Sequence, residues 1–164
     1  MNLDPGFSDG AEPESVAAAD RRGFVFSVAG ELYGVDLDEV EGAVGVSEIV
    51  PLPWTPPHVL GVMRIRGAFE PIVSLARILG LEETEAQGDS DDNPRVLLLR
   101  SGDLRAGLRV ERIEDVTESN DLSPCPAGTR GQVAVYARGV STWRDRFVCW
   151  LSAERILNGT RLAD

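Results

Sequence analysis

The residue types that usually carry enzyme chemistry are scarce in this chain. Its single histidine, His58, lies beside two prolines, and all sixteen basic residues are arginine. Neither a Schiff-base lysine nor a phosphate-loop lysine can therefore be present. No His/Cys grouping has the spacing of a zinc site, and no Gly-x-Ser-x-Gly elbow occurs. The pairs Asp36/Asp38 and Asp115/Glu118 could act as acid and base, but solvated carboxylates at strand ends and turns are far more common. The sequence predicts no enzyme, no catalytic residue, no bound metal and no cofactor.

The two cysteines lie in unlike surroundings. Cys125 is in the proline-rich stretch SPCPAG, and Cys149 is in the apolar run FVCWL. Such surroundings are poor material for a disulfide framework. We expect both thiols to be reduced and structural.

Other side chains are suited to protein contact. The stretch IVPLPWTPPHVLGV sets Trp54 among four prolines, which should stiffen the loop and lower the ordering cost of binding. Tryptophan and arginine are favoured interface anchors, so Trp54, Trp143 and Arg66 are candidate contact residues. The alternative, that both tryptophans simply cover the core, stays open.

One stretch combines candidate contact residues with a recognisable local structure. GVMRIRGAFEPIVSLARILGL, residues 61–81, alternates apolar and polar side chains as a strand does, with Arg64 and Arg66 on one side. A turn is predicted at Gly67, followed by a second strand and a short helix. Pro71 lacks an amide donor and should lie at a strand start or an edge.

The net charge of −11 belongs to two segments. Residues 1–20 carry five acidic side chains and residues 82–93 carry six, and neither segment has a basic residue. Both are too polar to bury and are expected to be mobile and solubilising. With no basic patch left over, the sequence excludes nucleic acid as a partner. It has no apolar run long enough for membrane insertion and no secretory signal, so a cytoplasmic location is expected.

The β-strand signals occur twice along the chain. FVFSVAGELYGVDL is a hairpin with Gly30 at its tip, and RVLLLRSGDLRAGLRV repeats it with Gly102-Asp103 at the turn, at an offset of 73 residues. Farther along, Arg66-Gly67 aligns with Arg138-Gly139 at an offset of 72 residues, and ARIL aligns with ERIL at an offset of 78. The growth in offset predicts that STWRDR lengthens the second hairpin. We predict two packed β-rich units of about five strands each, one from each copy.

Three segments carry a more specific pattern. They read F-x-V-x-G-x-x-Y-G-V-D-L-x-x-V, then P-x-P-x-x-P-P-x-V-x-G-V-M-R-I-R-G-x-x-x-P-I-V-S-L-A-R-I-L-G, then V-L-L-L...G-L-R-V-E-R-I-E-D-V. Residues 23–157 thereby resemble the CheW-like domain family, the coupling modules of bacterial chemosensory arrays. The resemblance implies a mainly β fold, with two five-stranded SH3-like β-barrel subdomains that pack on a shared core and carry short helices.

The resemblance also implies a domain division. Residues 1–22 would be an acidic disordered tail and 23–157 the CheW-like domain. Its halves, about 23–81 and 95–157, would be joined by the acidic loop 82–94, and 158–164 would be a C-terminal tail.

The function implied by the resemblance is a non-catalytic adaptor recruited to receptor arrays at the membrane. Its partners would be the helical tip of a chemoreceptor and the regulatory domain of a CheA-type histidine kinase. The tip would lie in a groove between the subdomains. Carried over by position, the groove residues are Val40, Glu41, Ala43, Gly61, Arg64, Arg66 and Gly67.

Four positions depart from the family pattern. Gly42 stands where relatives commonly carry glutamate, Ala43 where they carry isoleucine, Arg64 where they carry asparagine, and Ser74 where they carry aspartate. The smaller apolar area should weaken a conventional receptor contact, whereas an extra arginine can create a new charge preference. The alternative function is therefore a divergent module that has lost one of its two contacts and acts as a stand-alone localisation or inhibitory partner.

Overall fold

A computed structural model describes residues 21–82, 95–126, 128–129 and 132–159. These residues form eleven strands, three short α-helices and one 3-10 turn. In chain order they are β1 (Arg22–Val28), β2 (Glu31–Asp36), the 3-10 turn (Leu37–Glu39), β3 (Val40–Gly45), β4 (Ile49–Val50), β5 (Val59–Ile65), β6 (Ala68–Ser74), α1 (Leu75–Leu79), β7 (Arg95–Ser101), β8 (Leu104–Val110), β9 (Arg112–Glu118), α2 (Val133–Tyr136), β10 (Ala137–Trp143), β11 (Arg146–Leu151) and α3 (Ala153–Gly159). The predicted acidic tail, apart from its last two residues, and the acidic loop beyond Glu82 lie outside the described residues.

The strands form two sheets. Sheet A has the order β9-β1-β2-β11-β10, and sheet B has the order β3-β7-β8-β6-β5-β4. Both predicted hairpins are present, with their turns at Ala29-Gly30 and Gly102-Asp103. The prediction of a mainly β fold with two packed β units is confirmed, although sheet B has six strands because the two-residue strand β4 joins its edge.

The sheets pack on one shared core and each also has a core of its own. In β7, Leu97 and Leu99 face the shared core, whereas Val96 and Leu98 face a separate cluster inside sheet B. Trp150 and its neighbours form the corresponding cluster in sheet A. Strands buried on both faces read as continuous apolar runs, which explains the VLLL of β7.

The internal repeat is visible in the strand pairing. Val40 pairs with Leu99, and Ile113 pairs with Phe26, each beside a bulge in the same relative place. Likewise Ile72 pairs with Gly107 in parallel, and Trp150 pairs with Gly34 in parallel. In both copies the large side chain fits where the glycine has no Cβ, since a Cβ on Gly34 would lie 2.5 Å from the indole of Trp150.

One expectation about the repeat is corrected, because the two sequence copies do not form one sheet each. The first hairpin, β1-β2, joins strands of the C-terminal half in sheet A, and the second hairpin, β7-β8, joins strands of the N-terminal half in sheet B. The 3-10 turn at Leu37–Glu39 carries the chain from one sheet to the other. Each hairpin has the same sequence pattern whether it joins the sheet of its own half or that of the other half. The repeat alone therefore cannot reveal that the hairpins are exchanged between the sheets.

The alignment of Arg66-Gly67 with Arg138-Gly139 is also wrong. Gly139 lies inside β10 at a bulge, and its structural counterpart is Gly61, at the bulge of β5. The turn that matches Arg66-Gly67 is Arg144-Asp145, at an offset of 78. That offset holds from β5 to the following helix, so STWRDR does not lengthen the second hairpin.

The helices α1 and α3 begin in the same way. The hydroxyl oxygens of Ser74 and Ser152 accept hydrogen bonds from the backbone amides of Arg77 and Arg155, each at 3.2 Å. A short side-chain acceptor at this position caps the helix, and serine and aspartate both serve. The departure at Ser74 therefore keeps the local structure intact.

Candidate interaction surface

Arg66 lies at the tip of the β5-β6 hairpin. It and Gly67 have φ angles of 53° and 85°, the left-handed pair of a two-residue turn. Both residues are exposed. The predicted turn is thus present, and the arginine side chain stands at the surface.

The tertiary structure brings Arg66 to the edge strand β3. A Cβ placed on Gly42 would lie 2.7 Å from Nη2 of Arg66 and 3.3 Å from its Cζ, so the guanidinium lies directly over the glycine. Within the described part of the chain, no carboxylate forms an ion pair with Arg66. Its planar set of donors is consequently left for a partner's carboxylate or carbonyl groups.

The strand β3 supplies three other predicted groove residues. Val40 packs against the shared core, Ala43 is exposed, and Glu41 is half-buried. The structure therefore brings β3 and the tip of the β5-β6 hairpin together, as a groove would require. We refer to Val40–Ala43 together with Arg66 and Gly67 as the β3 surface.

Glu41 belongs to a charge network on this surface. Its carboxylate oxygens lie 3.1 Å from Nη1 of Arg100 and 3.1 Å from Nη2 of Arg105, and Arg105 also contacts Glu70 at 3.2 Å. Both arginines are about half exposed, so each pair contributes little to stability, on the order of 0–1 kcal/mol. The network instead holds Glu41 toward the β7-β8 hairpin. Arg66 takes no part in the network and pairs with none of the carboxylates that the structure describes.

Arg64 turns to a different neighbour. It pairs across the hairpin with Phe69, and its guanidinium carbon is 5.8 Å from the centre of that ring, within cation–π range. The ring itself is 63% exposed. Arg64 and Phe69 thus form a second exposed contact point on the same hairpin, distinct from the β3 surface.

Gly61 does not line a surface. It is buried at the bulge of β5, and a Cβ there would lie 2.2 Å from the carbonyl oxygen of Val50. The close approach of β4 requires glycine at this position. We therefore assign Gly61 to the packing of sheet B.

The two candidate tryptophans differ. Trp54 is 98% exposed in its proline-rich loop and covers no core. Trp143 is half-buried, packs against the core cluster of sheet A, and carries the guanidinium of Arg144 at 4.6 Å from its ring. The alternative that the tryptophans cover the core therefore holds in part for Trp143 and does not hold for Trp54.

A buried carboxylate that the sequence suggested as a possible acid has another role. Asp36 is 2% exposed and accepts hydrogen bonds from Ser119 Oγ at 2.9 Å and Arg138 Nη1 at 3.2 Å, and it also pairs with Arg21. It ties the start of β1 to β10 and to the end of β9. Its neighbours along the chain give no sign of this, since the partners are 15 to 102 residues away.

Glu39 joins the chain crossing between the sheets to helix α3. The amide of Ala153 donates to its Oε1 at 3.4 Å. Burial raises the pKa of Glu39, with the charges of Asp36 and Asp38 adding to the rise, while the amide of Ala153 and the charge of Arg138 oppose it.

Comparison with known proteins identifies the fold. The family model described as CheW-like domain matches residues 22–161. This chain belongs to the CheW-like domain family. Chemotaxis protein CheW of Treponema pallidum (strain Nichols) is 25% identical over 84% of this chain and 82% of its own length. Chemotaxis protein CheW of Helicobacter pylori is 28% identical over 80% of this chain and 78% of its own.

A solved structure supports the same assignment. The scaffolding protein TtCheW of Thermoanaerobacter tengcongensis matches with a TM-score of 0.70 and 26% identity, over 80% of this chain and 84% of that one. Membership thus places the chain among chemotaxis adaptor and scaffolding proteins. None of the helices described here has the length and apolar character needed to cross a membrane.

Proposed function

We propose that this protein is a non-catalytic adaptor that couples the cytoplasmic tips of chemoreceptors to a CheA-type histidine kinase. Membership of the CheW-like family supports the class of function, and the β3 surface supports a partner site. The observation that carries the site is the guanidinium of Arg66, exposed over Gly42 and unpaired with any described carboxylate.

The receptor tip is the partner that we assign to the β3 surface. A helical hairpin presents a narrow ridge of side chains, and an edge strand beside a protruding turn offers a matching recess. Arg66 would donate to carboxylate or carbonyl oxygens of the tip. Arg64, with its exposed Phe69 neighbour, would contribute to the choice among receptors, because it adds a charge where relatives carry asparagine.

The kinase regulatory domain is assigned to a separate surface. An adaptor must hold both partners at once, so the kinase must leave the β3 surface free. Trp54 and Trp143 are candidate anchors there, and Trp54 is the more accessible of the two. The protein would act in the cytoplasm and be recruited to receptor arrays through these contacts.

The test is a binding measurement with the receptor tip and the kinase regulatory domain, separately and together. We expect the full chain to bind each partner and to form a ternary complex in which neither displaces the other. Binding of one partner alone would instead favour the module that has lost a contact. Competition between the two partners for one site would overturn the assignment of separate surfaces.

A further inference from the structure

A cleft of about 290 Å³ lies on sheet A, outside the β3 surface. Its walls include Tyr33 of β2, Val133 of α2, and Phe147 and Cys149 of β11. The segment Ser123–Pro126 closes one side and contributes Cys125. Both cysteines of the chain thus face the same cavity, although they lie far apart in two unlike stretches of sequence.

The backbone explains why the cysteines meet. Ser123 exchanges two backbone hydrogen bonds with Val140 of β10, at 2.8 and 2.7 Å. Val140 in turn pairs with Cys149 on β11. Cys125 follows Ser123 by two residues and lines the cleft together with Cys149, whose pKa its proximity helps to raise.

The two thiols are not chemically equivalent. Burial raises the pKa of Cys149 to about 12, and the neighbouring Cys125 adds to the rise. Cys149 therefore keeps its proton at neutral pH and is a poor first nucleophile. Cys125 lies between two prolines in a segment without helix or strand. Since Cys149 keeps its proton, the first attack falls to Cys125.

A soft metal ion is not the occupant that the site fits best. A structural zinc site needs four ligands, and within the described residues no group of three or more His, Cys, Asp or Glu side chains is placed to hold a metal. Two adjacent thiols without further ligands are instead the arrangement that forms a disulfide.

We propose that Cys125 and Cys149 form a dithiol modification site that low-molecular-weight disulfides convert to an intramolecular disulfide. The thiolate of Cys125 attacks one sulfur of the reagent, forming a mixed disulfide and releasing the first thiolate, which takes up a proton. The sulfur of Cys149 then loses its proton and attacks the sulfur of Cys125, and the second reagent thiol leaves. One protein disulfide forms, one reagent disulfide is reduced, and two reagent thiols are produced.

The product would fasten the segment Ser123–Pro126 to β11 across the cleft. Disulfide geometry requires the two Cα atoms to lie within about 4.4–6.8 Å of each other. Among the described residues, the one isolated bridge that holds this segment to β10 is that of Ser123 with Val140, so the proline-flanked segment can adjust toward β11 more easily than a strand can. Oxidation would thereby close the cleft beside the exposed ring of Phe147.

The test uses the full chain with glutathione disulfide at pH 8, quenched with a maleimide and measured by intact mass. We expect the parent protein to lose both free thiols and two hydrogens in mass, and peptide mapping to find Cys125 linked to Cys149. Dithiothreitol should reverse the change. Two thiols that stay free in the folded parent protein, or links only between separate chains, would overturn the proposal.

Two serine variants test the order of the steps. Cys149→Ser should stop at a stable adduct of one glutathione on Cys125, because the second thiol is missing. Cys125→Ser should react at least about tenfold more slowly than the parent, because its remaining thiol is only partly exposed and stays protonated. Equal rates for the two variants would refute the assigned roles, and the mass of the parent protein decides the proposal even if a variant fails to fold. The outcome is independent of receptor and kinase binding.

Discussion

Replacing Arg66 by alanine removes the exposed guanidinium over Gly42 and leaves the fold in place. Arg66 already occupies the left-handed turn conformation with a φ of 53°, so alanine inherits the same backbone cost. Its side chain is exposed and pairs with no described carboxylate, so the free energy of unfolding should change by less than about 0.5 kcal/mol.

The effect on binding should be much larger. Losing a charged hydrogen-bonding group at an interface costs about 1–3 kcal/mol. The dissociation constant for the receptor tip should then rise about 5- to 150-fold. Titration calorimetry with the receptor tip measures this change, and circular dichroism checks the fold of each variant.

The internal repeat supplies a matched control. Arg144 occupies the equivalent turn in the other sheet, is also exposed, and has a φ of 51°. Arg144→Ala removes the same charge from the same kind of turn, so it should change receptor binding by less than about twofold. Arg64→Ala should alter receptor binding while leaving kinase binding near that of the parent. The reasoning fails if Arg66→Ala binds the tip like the parent, or if Arg144→Ala weakens binding equally.

A double-mutant cycle tests the contact with Gly42 itself. Gly42→Ala would place a Cβ 2.7 Å from the guanidinium of Arg66, whose flexible end must then move. We expect weaker binding in the parent background and little further effect once Arg66 is alanine. Additive effects would show that the two positions do not act through one contact.

Four further changes test the rest of the structure. Asp36→Ala should lower the free energy of unfolding by about 2–3 kcal/mol in a urea titration, because it leaves buried donors unpaired, whereas the exposed Asp38→Ala should cost under about 0.5 kcal/mol. Gly61→Ala should lower the melting temperature, since its Cβ would meet a carbonyl at 2.2 Å, and an unchanged value would contradict the buried bulge. Trp54→Ala should leave stability unchanged, because the side chain is 98% exposed, and a lower melting temperature would place that ring in the core. The raised pKa of Glu39 means that its protonated form favours the fold, so this contribution is present below the ordinary value of 4.5 and is lost as pH rises through the folded pKa. Glu39→Gln should therefore gain stability relative to the parent more at pH 7 than at pH 4, in paired thermal scans, and a constant difference would count against it.

The sequence determined the local structure and the family. Alternating apolar residues around Gly30 and around Gly102-Asp103 predict the two hairpins, because period-two burial and turn glycines act over a few residues. Arg66-Gly67 likewise predicts the exposed turn between β5 and β6, because a turn glycine acts over a few residues. The residues and spacing of the three long motifs carry the CheW-like resemblance, which the family comparison confirms.

Only the tertiary structure decided which sheet each hairpin joins and which distant residues come into contact. The exchange of hairpins between the sheets leaves every local pattern unchanged, so no pattern could report it. The placement of Arg66 over Gly42 and the burial of Gly61 against β4 depend on which strands become neighbours. Cys125 and Cys149 line one cleft because the tertiary structure bridges Ser123 to Val140, which pairs with Cys149. Such contacts join residues far apart in sequence, and their energies arise only when the sheets have packed.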